Sequence, residues 1–134
     1  MKLITRDTDY ALRALCLIAK SRKKRVSVSE LVEKLKIPRA FLRKTLQALS
    51  KKKILKSYKG SGGGFSLTLP AGKIFLADLV EVFQGPFSLN ECVFKKMPCF
   101  LMRTCALKKK IDAIEKYVSA QLKSINLASL LRKN

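Results

Sequence analysis

Apolar positions recur along this chain at two periods, and the changes of period mark its elements. Between Asp9 and Lys20, the residues Tyr10, Ala11, Ala14, Leu15, Leu17, Ile18 and Ala19 fall at helical spacing. They cover enough of the circumference to predict a helix buried on more than one side. Ser27-Val28-Ser29-Glu30 then reads as a capping box, with Ser27 at the N-cap and Glu30 reaching back to its amide. Leu31, Val32 and Leu35 form the inner stripe of the short helix that it opens. Lys36-Ile37-Pro38 is a break, and proline suits the first turn of a new helix because its missing N–H would be unpaired there. The next helix is expected from about Pro38 to Lys51, with Phe41, Leu42, Thr45, Leu46 and Leu49 inward. Its other face carries Arg39, Arg43, Lys44 and Gln47.

The period then shortens to two in Ile54–Lys59 and Phe65–Leu69, on either side of Gly60-Ser61-Gly62-Gly63-Gly64. Two strands joined by a flexible hairpin account for that alternation. Two short helices, a tight turn, a basic second helix and a hairpin make a winged helix-turn-helix. Side chains near the start of the second helix are those that reach base edges, where a bidentate arginine discriminates by about 1–3 kcal/mol. Glycines let the hairpin tip approach a sugar-phosphate surface and offer it N–H groups. The run is a poor nucleotide-binding loop, lacking a Gly-Lys-Ser/Thr ending and a helix directly after it. A plain hairpin without ligand is the bland alternative.

Beyond the hairpin, a helix is expected from Ala71 to Phe83, ended by Gln84-Gly85-Pro86. A helical stripe returns from about Cys105 to Leu122, through Leu107, Ile111, Ile114, Tyr117 and Val118. Such a stripe at the end of a small domain needs a partner surface, and a second copy of the chain is the economical one. Ile125 to Leu130 closes the chain as a short apolar turn. The expected fold is mainly α: a winged helix-turn-helix with a two-stranded β wing and a long C-terminal dimerisation helix. Residues 1–80 are expected to form the DNA-binding domain, and residues 81–134 a cysteine-containing loop and the dimerisation helix.

Charge narrows the choice of partner. The 134 residues hold 29 Lys+Arg against 9 Asp+Glu, a formal net charge of +20, and 48% hydrophobic residues, enough to build a core. Residues 1–70 carry 18 Lys+Arg and 4 acids (+14), and residues 71–134 carry 11 and 5 (+6). The first half is therefore the candidate for nucleic-acid contact, since DNA binding by Lys and Arg is driven by counterion release. There is no histidine, which excludes Ser-His-Asp hydrolysis, Cys-His proteolysis, HExxH metalloproteases and Cys₂His₂ fingers. No acid–base pair can be assembled from the motifs, so an enzyme is not expected. No run approaches the ~18 apolar residues of a spanning helix, and the start, Met1 to Asp7, lacks the order of a signal peptide. A cytoplasmic, non-membrane protein is expected, and there clustered cysteines are metal-binding or redox-active more often than disulfide-bonded.

Cys92, Cys99 and Cys105 are spaced C-x₆-C-x₅-C, without the tight C-x₂₋₄-C turn of a zinc site. Three thiolates on one loop can wrap an iron–sulfur cluster; a thiol redox switch and an incidental set of loop thiols are the alternatives. A cluster would need a fourth ligand, which cannot be histidine: a carboxylate, another side chain, a small molecule or Cys16. Between Leu15 and Leu17, Cys16 reads first as a small core hydrophobe.

These residues in this order resemble the IscR/NsrR/RirA family of bacterial iron–sulfur transcription regulators, also called the Rrf-two family, almost end to end. The marks are Thr8-Asp9-Tyr10-Ala11-Leu12-Arg13-Ala14-Leu15, the Pro38-to-Leu49 helix, Gly60-x-Gly62-Gly63-Gly64-Phe65, the three cysteines and Ile125-Asn126-Leu127-Ala128-Ser129-Leu130. The resemblance implies a homodimer whose winged modules read a near-palindromic double-stranded operator, with Cys92, Cys99 and Cys105 holding an iron–sulfur cluster whose state alters DNA binding. It places Arg39, Ala40, Arg43 and Lys44 in the major groove, and Lys59, Gly60, Ser61 and Gly62 near the minor groove. One branch completes a two-iron cluster with a histidine where Lys108 stands here. The nitric-oxide-sensing branch completes a four-iron cluster with an aspartate of the first helix of the other subunit, matched here by Asp9, so four irons are expected over two. Arg43 replaces a glutamate of some members, and Lys36 a glycine frequent in the turn. A regulator, most simply a repressor, sensing iron, nitric oxide or redox state is the implied function. A metal-free thiol-switched regulator and a basic RNA-binding structural protein are the two alternatives.

Overall fold

The computed structural model describes residues 3–88 and 106–131. Cys92, Cys99 and Cys105 lie outside the described residues. Helix α1 spans Arg6–Lys20 and so begins earlier than the apolar stripe. The Thr5 hydroxyl caps it by accepting from the Thr8 amide, and Asp7 and Asp9 in the first turn complement the helix dipole. Helix α2 covers Val28–Leu35, with Ser27 Oγ accepting from the Glu30 amide at 3.2 Å. Only half of the expected capping box forms in this way. The Glu30 carboxylate turns outward instead and accepts from Lys23 Nζ at 3.0 Å, an ion-pair partner that the basic loop supplies.

Helix α3 runs Arg39–Lys51, with Pro38 as its N-cap rather than its first helical residue. Its buried stripe is Leu42, Thr45, Leu46 and Leu49, and the Thr45 hydroxyl is satisfied by donating to the Phe41 carbonyl at 2.9 Å. Phe41 itself, expected inward, is 49% exposed. The buried arc is centred on the Leu42–Leu46–Leu49 row, and a residue one position before Leu42 is rotated by about 100° out of it.

Strands β1 (Leu55–Tyr58) and β2 (Gly64–Leu67) form an antiparallel hairpin in the register Leu55↔Leu67 and Tyr58↔Gly64. Its tip is tighter than a flexible glycine loop. The Gly63 amide donates to the Gly60 carbonyl at 2.9 Å, and Gly62 at the turn has φ +75°, the pattern of a type II turn. The hairpin is stitched to the helices by paired Val26–Phe65 backbone bonds of 2.9 Å each. A Cβ at Gly64 would lie 2.6 Å from the Val26 carbonyl oxygen, so the close approach there requires glycine.

The expected helix over Ala71–Phe83 is in fact two pieces: a 3₁₀ turn at Ala71–Lys73 and helix α4 at Leu76–Gln84. The break exists because Ile74 and Phe75 are extended and pair with Ile125 and Asn126. The Leu127 amide donates to the Ile74 carbonyl at 2.8 Å, and the Leu76 amide to the Ile125 carbonyl at 2.9 Å. Helix α5 (Ala106–Ser124) packs on α4, and helix α6 (Leu127–Leu131) returns to the main core through Leu127. That core is one cluster of α1 (Ala11, Ala14, Leu15, Ile18), Leu31, α3 (Leu42, Leu46, Leu49), Leu55, Ile74, Leu79 and Leu127. The fold is therefore mainly helical with a two-stranded wing, as the periodicities predict.

Candidate nucleic-acid interface

Helix α3 is held by its apolar stripe, which leaves the opposite face to solvent. Ala40, Arg43 and Lys44 are exposed there, and so are Lys59, Gly60, Ser61 and Gly62 on the hairpin. Arg39 is exposed too, but it is tethered: Nη2 donates to Ser29 Oγ at 3.1 Å, bridging the start of α3 to α2. The fold thus puts the predicted base-reading residues on one helix face, and the predicted minor-groove residues at the tip of the adjacent hairpin.

Electrostatics unify the two. From Lys34 to Ala77 the sequence has 11 Lys+Arg and not one Asp or Glu. Among the described residues, Arg43, Lys44, Lys51 and Lys59 have no carboxylate partner. The whole recognition helix and wing are a field of one sign, which attracts a polyanion and gains no internal salt bridges.

Two residues that sequence periodicity does not single out set the pose of the wing. Arg25 lies with its guanidinium 3.7 Å from the Tyr58 ring centroid, and its Nη1 donates to the Gly62 carbonyl at 3.4 Å. Lys56 Nζ approaches the same ring at 5.3 Å. A hydrogen bond from Ser66 and the charges of Lys56 and Arg25 lower the Tyr58 pKa from its ordinary value. The signal is a tyrosine flanked by cations on a strand, legible only once the register is known.

At the other end of the molecule, the side chain of Gln84 ties the last turn of α4 to the first turn of α1. Its Oε1 accepts from the Thr5 amide at 3.0 Å and from Thr8 Oγ1 at 2.7 Å, and its Nε2 donates to the Leu3 carbonyl at 3.2 Å. Thr8 is fully buried, and its hydroxyl is satisfied by Gln84 together with the Thr5 hydroxyl at 3.2 Å. Asp9, on the next position of α1, is partly exposed and accepts from Arg13 Nε at 2.9 Å through Oδ2. Cys16 is half-buried against the core, and desolvation raises its thiol pKa while Lys20 pulls it down less strongly. It is thus held as a thiol, in keeping with the core reading. Among the described residues no group of three or more Cys, Asp or Glu comes together, and no helix is long and apolar enough to cross a membrane.

Comparison with known proteins fits this geometry. A sequence profile of the family Rrf2, described as iron-dependent transcriptional regulators, matches residues 4–133. An Aquifex aeolicus chain assigned as an HTH-type transcriptional regulator is 33% identical over 132 residues, 96% of this chain and 92% of that one. The transcriptional regulator NsrR of Oceanobacillus iheyensis is 33% identical over 107 residues, 78% of this chain and 73% of that one. In structure, CymR (YrzC), the global cysteine regulator of B. subtilis, superposes with a TM-score of 0.81 at 22% identity, over 98% of this chain and 97% of that one.

Proposed function

The chain belongs to the Rrf2 family of transcriptional regulators, and from that premise we propose that it is a repressor whose operator binding is set by an iron–sulfur cluster. It is a DNA-binding regulator and not an enzyme. Regulators of this family are generally dimeric, and two copies of this chain would present two winged modules to a near-palindromic site. In this reading residues 1–80 bind DNA, through Arg39, Ala40, Arg43 and Lys44 in the major groove and Lys59, Gly60, Ser61 and Gly62 at the minor groove. Residues 81–134 carry the cluster loop and the dimer contact. The observation that carries the DNA assignment is the acid-free stretch from Lys34 to Ala77, folded into one helix and its wing.

For the cluster, the donor set is three thiolates, Cys92, Cys99 and Cys105, with Asp9 of the partner subunit as the fourth ligand, and four irons are favoured over two. A soft, anionic, histidine-free set fits iron–sulfur chemistry. Asp9 fits as a donor because it is partly exposed and, among the described residues, Oδ1 takes no hydrogen bond. When bound, the cluster supplies a centre whose gain, loss or oxidation state is the signal. The chain's own contribution is to fix the helix that carries Asp9: Gln84 holds the end of α4 against the first turn of α1. Anaerobic purification with absorption spectroscopy and iron and sulfide analysis tests the proposal. Cluster absorption abolished in Cys92→Ala and made labile in Asp9→Ala is the expected result; a colourless, iron-free protein after reconstitution overturns it.

A second reading keeps the DNA module and replaces the cluster by a thiol switch, and it is favoured by the similarity to a cysteine regulator. Mass spectrometry of oxidised protein distinguishes the two, because the switch requires a reversible Cys–Cys bond without metal.

A further inference from the structure

The space between α3 and the wing has an occupant fixed by the geometry of DNA itself. Adjacent major and minor grooves are separated by one sugar-phosphate strand. With α3 in the major groove and the hairpin tip in the neighbouring minor groove, that strand has to pass between the two elements. Between them lies an open cleft of about 640 Å³, lined by Lys44, Gln47 and Lys51 of α3 and by Ser57 and Phe65 of the strands. We propose that this cleft seats the sugar-phosphate strand, with Lys51 neutralising its phosphates and Gln47 and Ser57 donating hydrogen bonds to their oxygens. The inference rests on the DNA-binding reading and deepens it, because it assigns Gln47, Lys51 and Ser57 to the DNA backbone.

Four observations converge on this occupant. Lys44, Gln47 and Lys51 follow one another at spacings of three and four on a helix, so they share a face. All three are exposed, as is Ser57. No acidic residue lines the cleft, which suits a polyanion. Within the same lining, the Ser50 hydroxyl is buried and has no partner among the described residues. Position along the helix separates Lys51 from the residues that read bases. Base edges are met by the N-terminal part of a recognition helix, and Lys51 stands about 18 Å along the axis from Arg39.

The test uses the duplex that the wild-type protein enriches from a random-sequence pool, with a scrambled duplex as its control, and binding followed by fluorescence anisotropy across a salt series. Lys51→Gln should weaken both duplexes alike and flatten the slope of log K against log salt by about 0.9 for each phosphate that is no longer neutralised. Ser57→Glu places a carboxylate in the cleft and should weaken binding further without removing a lysine. Lys116→Gln, the same charge change on α5, should leave the slope as it is. Arg43→Gln should instead change the ratio of selected to scrambled affinity, as a base-reading residue does. Thermal melting of each variant confirms that it is folded. An unchanged slope in Lys51→Gln with undiminished binding in Ser57→Glu overturns the backbone seat, and so does a change in sequence preference at constant slope. A wild-type protein that enriches no duplex overturns the DNA reading itself, which is a distinguishable result.

Discussion

Helices α3 and α5 expose opposite chemistry, and each is anchored differently. Of the 13 residues of α3, four are buried in the main core, and the free face offers cations. Of the 19 residues of α5, only Leu122 is buried, near its C-terminal end. Its outward face shows Leu107 at 67%, Ile114 at 51% and Tyr117 at 67% exposed. These fall seven and then three residues apart, one stripe on one side. A surface ion pair such as Lys108–Asp112 (2.9 Å) adds only about 0.3–0.5 kcal/mol, and an isolated helix of this length is marginal in water. Helix α3 is thus complete within one chain and waits for a polyanion, whereas α5 waits for apolar area. In the proposed dimer a second α5 supplies that area.

The sharpest way to break this comparison is to charge the α5 stripe. Ile114→Glu with Tyr117→Glu should yield monomers by light scattering, with α1 to α4 unaffected by circular dichroism. Removal of the second winged module should weaken operator binding by about 10²–10⁴-fold, the usual avidity of two linked sites. If the variant remains dimeric, the stripe is not the dimer contact.

The α3 side is broken through the wing. Gly64→Ala forces a Cβ to within 2.6 Å of the Val26 carbonyl oxygen, at a φ of +150°. Separating Val26 from Phe65 should cost about 2–3 kcal/mol of stability, read by urea denaturation. The dimer should persist while DNA affinity falls, which is the converse of the α5 variant.

The same contrast shows what the linear pattern can carry. Period and charge located α2, α3, both strands and the basic face, because each of those properties repeats locally. They misplaced Phe41, which lies at the edge of the buried arc, where apolar character and burial separate. They also fused Ala71–Lys73 with α4, because the break depends on pairing between Ile74–Phe75 and Ile125–Asn126, some fifty residues apart. Arg25 stacking on Tyr58 and Gln84 reaching Thr8 are contacts at long sequence separation, and no single-chain periodicity announces them. The exposed basic face proposed as the interface is legible for that reason, while the contacts that orient it are not.

Gln84 supplies the next test, at the end of α4 that leads toward α5. Gln84→Ala removes the acceptor of the Thr5 amide and the shorter of the two hydrogen bonds of the buried Thr8 hydroxyl, which keeps only the Thr5 hydroxyl. A destabilisation of about 1–3 kcal/mol is expected, with faster hydrogen exchange confined to the first turn of α1 and the last of α4. Thr8→Val in the same background should recover part of it by removing the buried hydroxyl that has lost its shorter hydrogen bond. Equal destabilisation spread over α3 and the wing would mean that the two regions are not separable.

The smallest expected effect concerns two lysines at the ends of the recognition unit. Lys36, closing α2, has φ +58°, and Lys53, just past α3, has φ +62°. Around Lys53 the Ile54 amide donates to the Leu49 carbonyl and the Lys53 amide to the Ser50 carbonyl, both at 3.0 Å, the Schellman pattern that favours glycine at that point. A side chain in the left-handed region costs about 1 kcal/mol, and glycine's greater unfolded-state entropy offsets part of the relief. Lys36→Gly and Lys53→Gly should therefore each raise stability by up to about 1 kcal/mol, read as a higher denaturation midpoint at unchanged m-value. Each also removes a cation from the acid-free face, so DNA affinity should fall as stability rises. The two effects have opposite signs only if the lysines are kept for charge. A glycine variant that is more stable and binds as tightly would show that these conformations persist for some reason other than the polyanion.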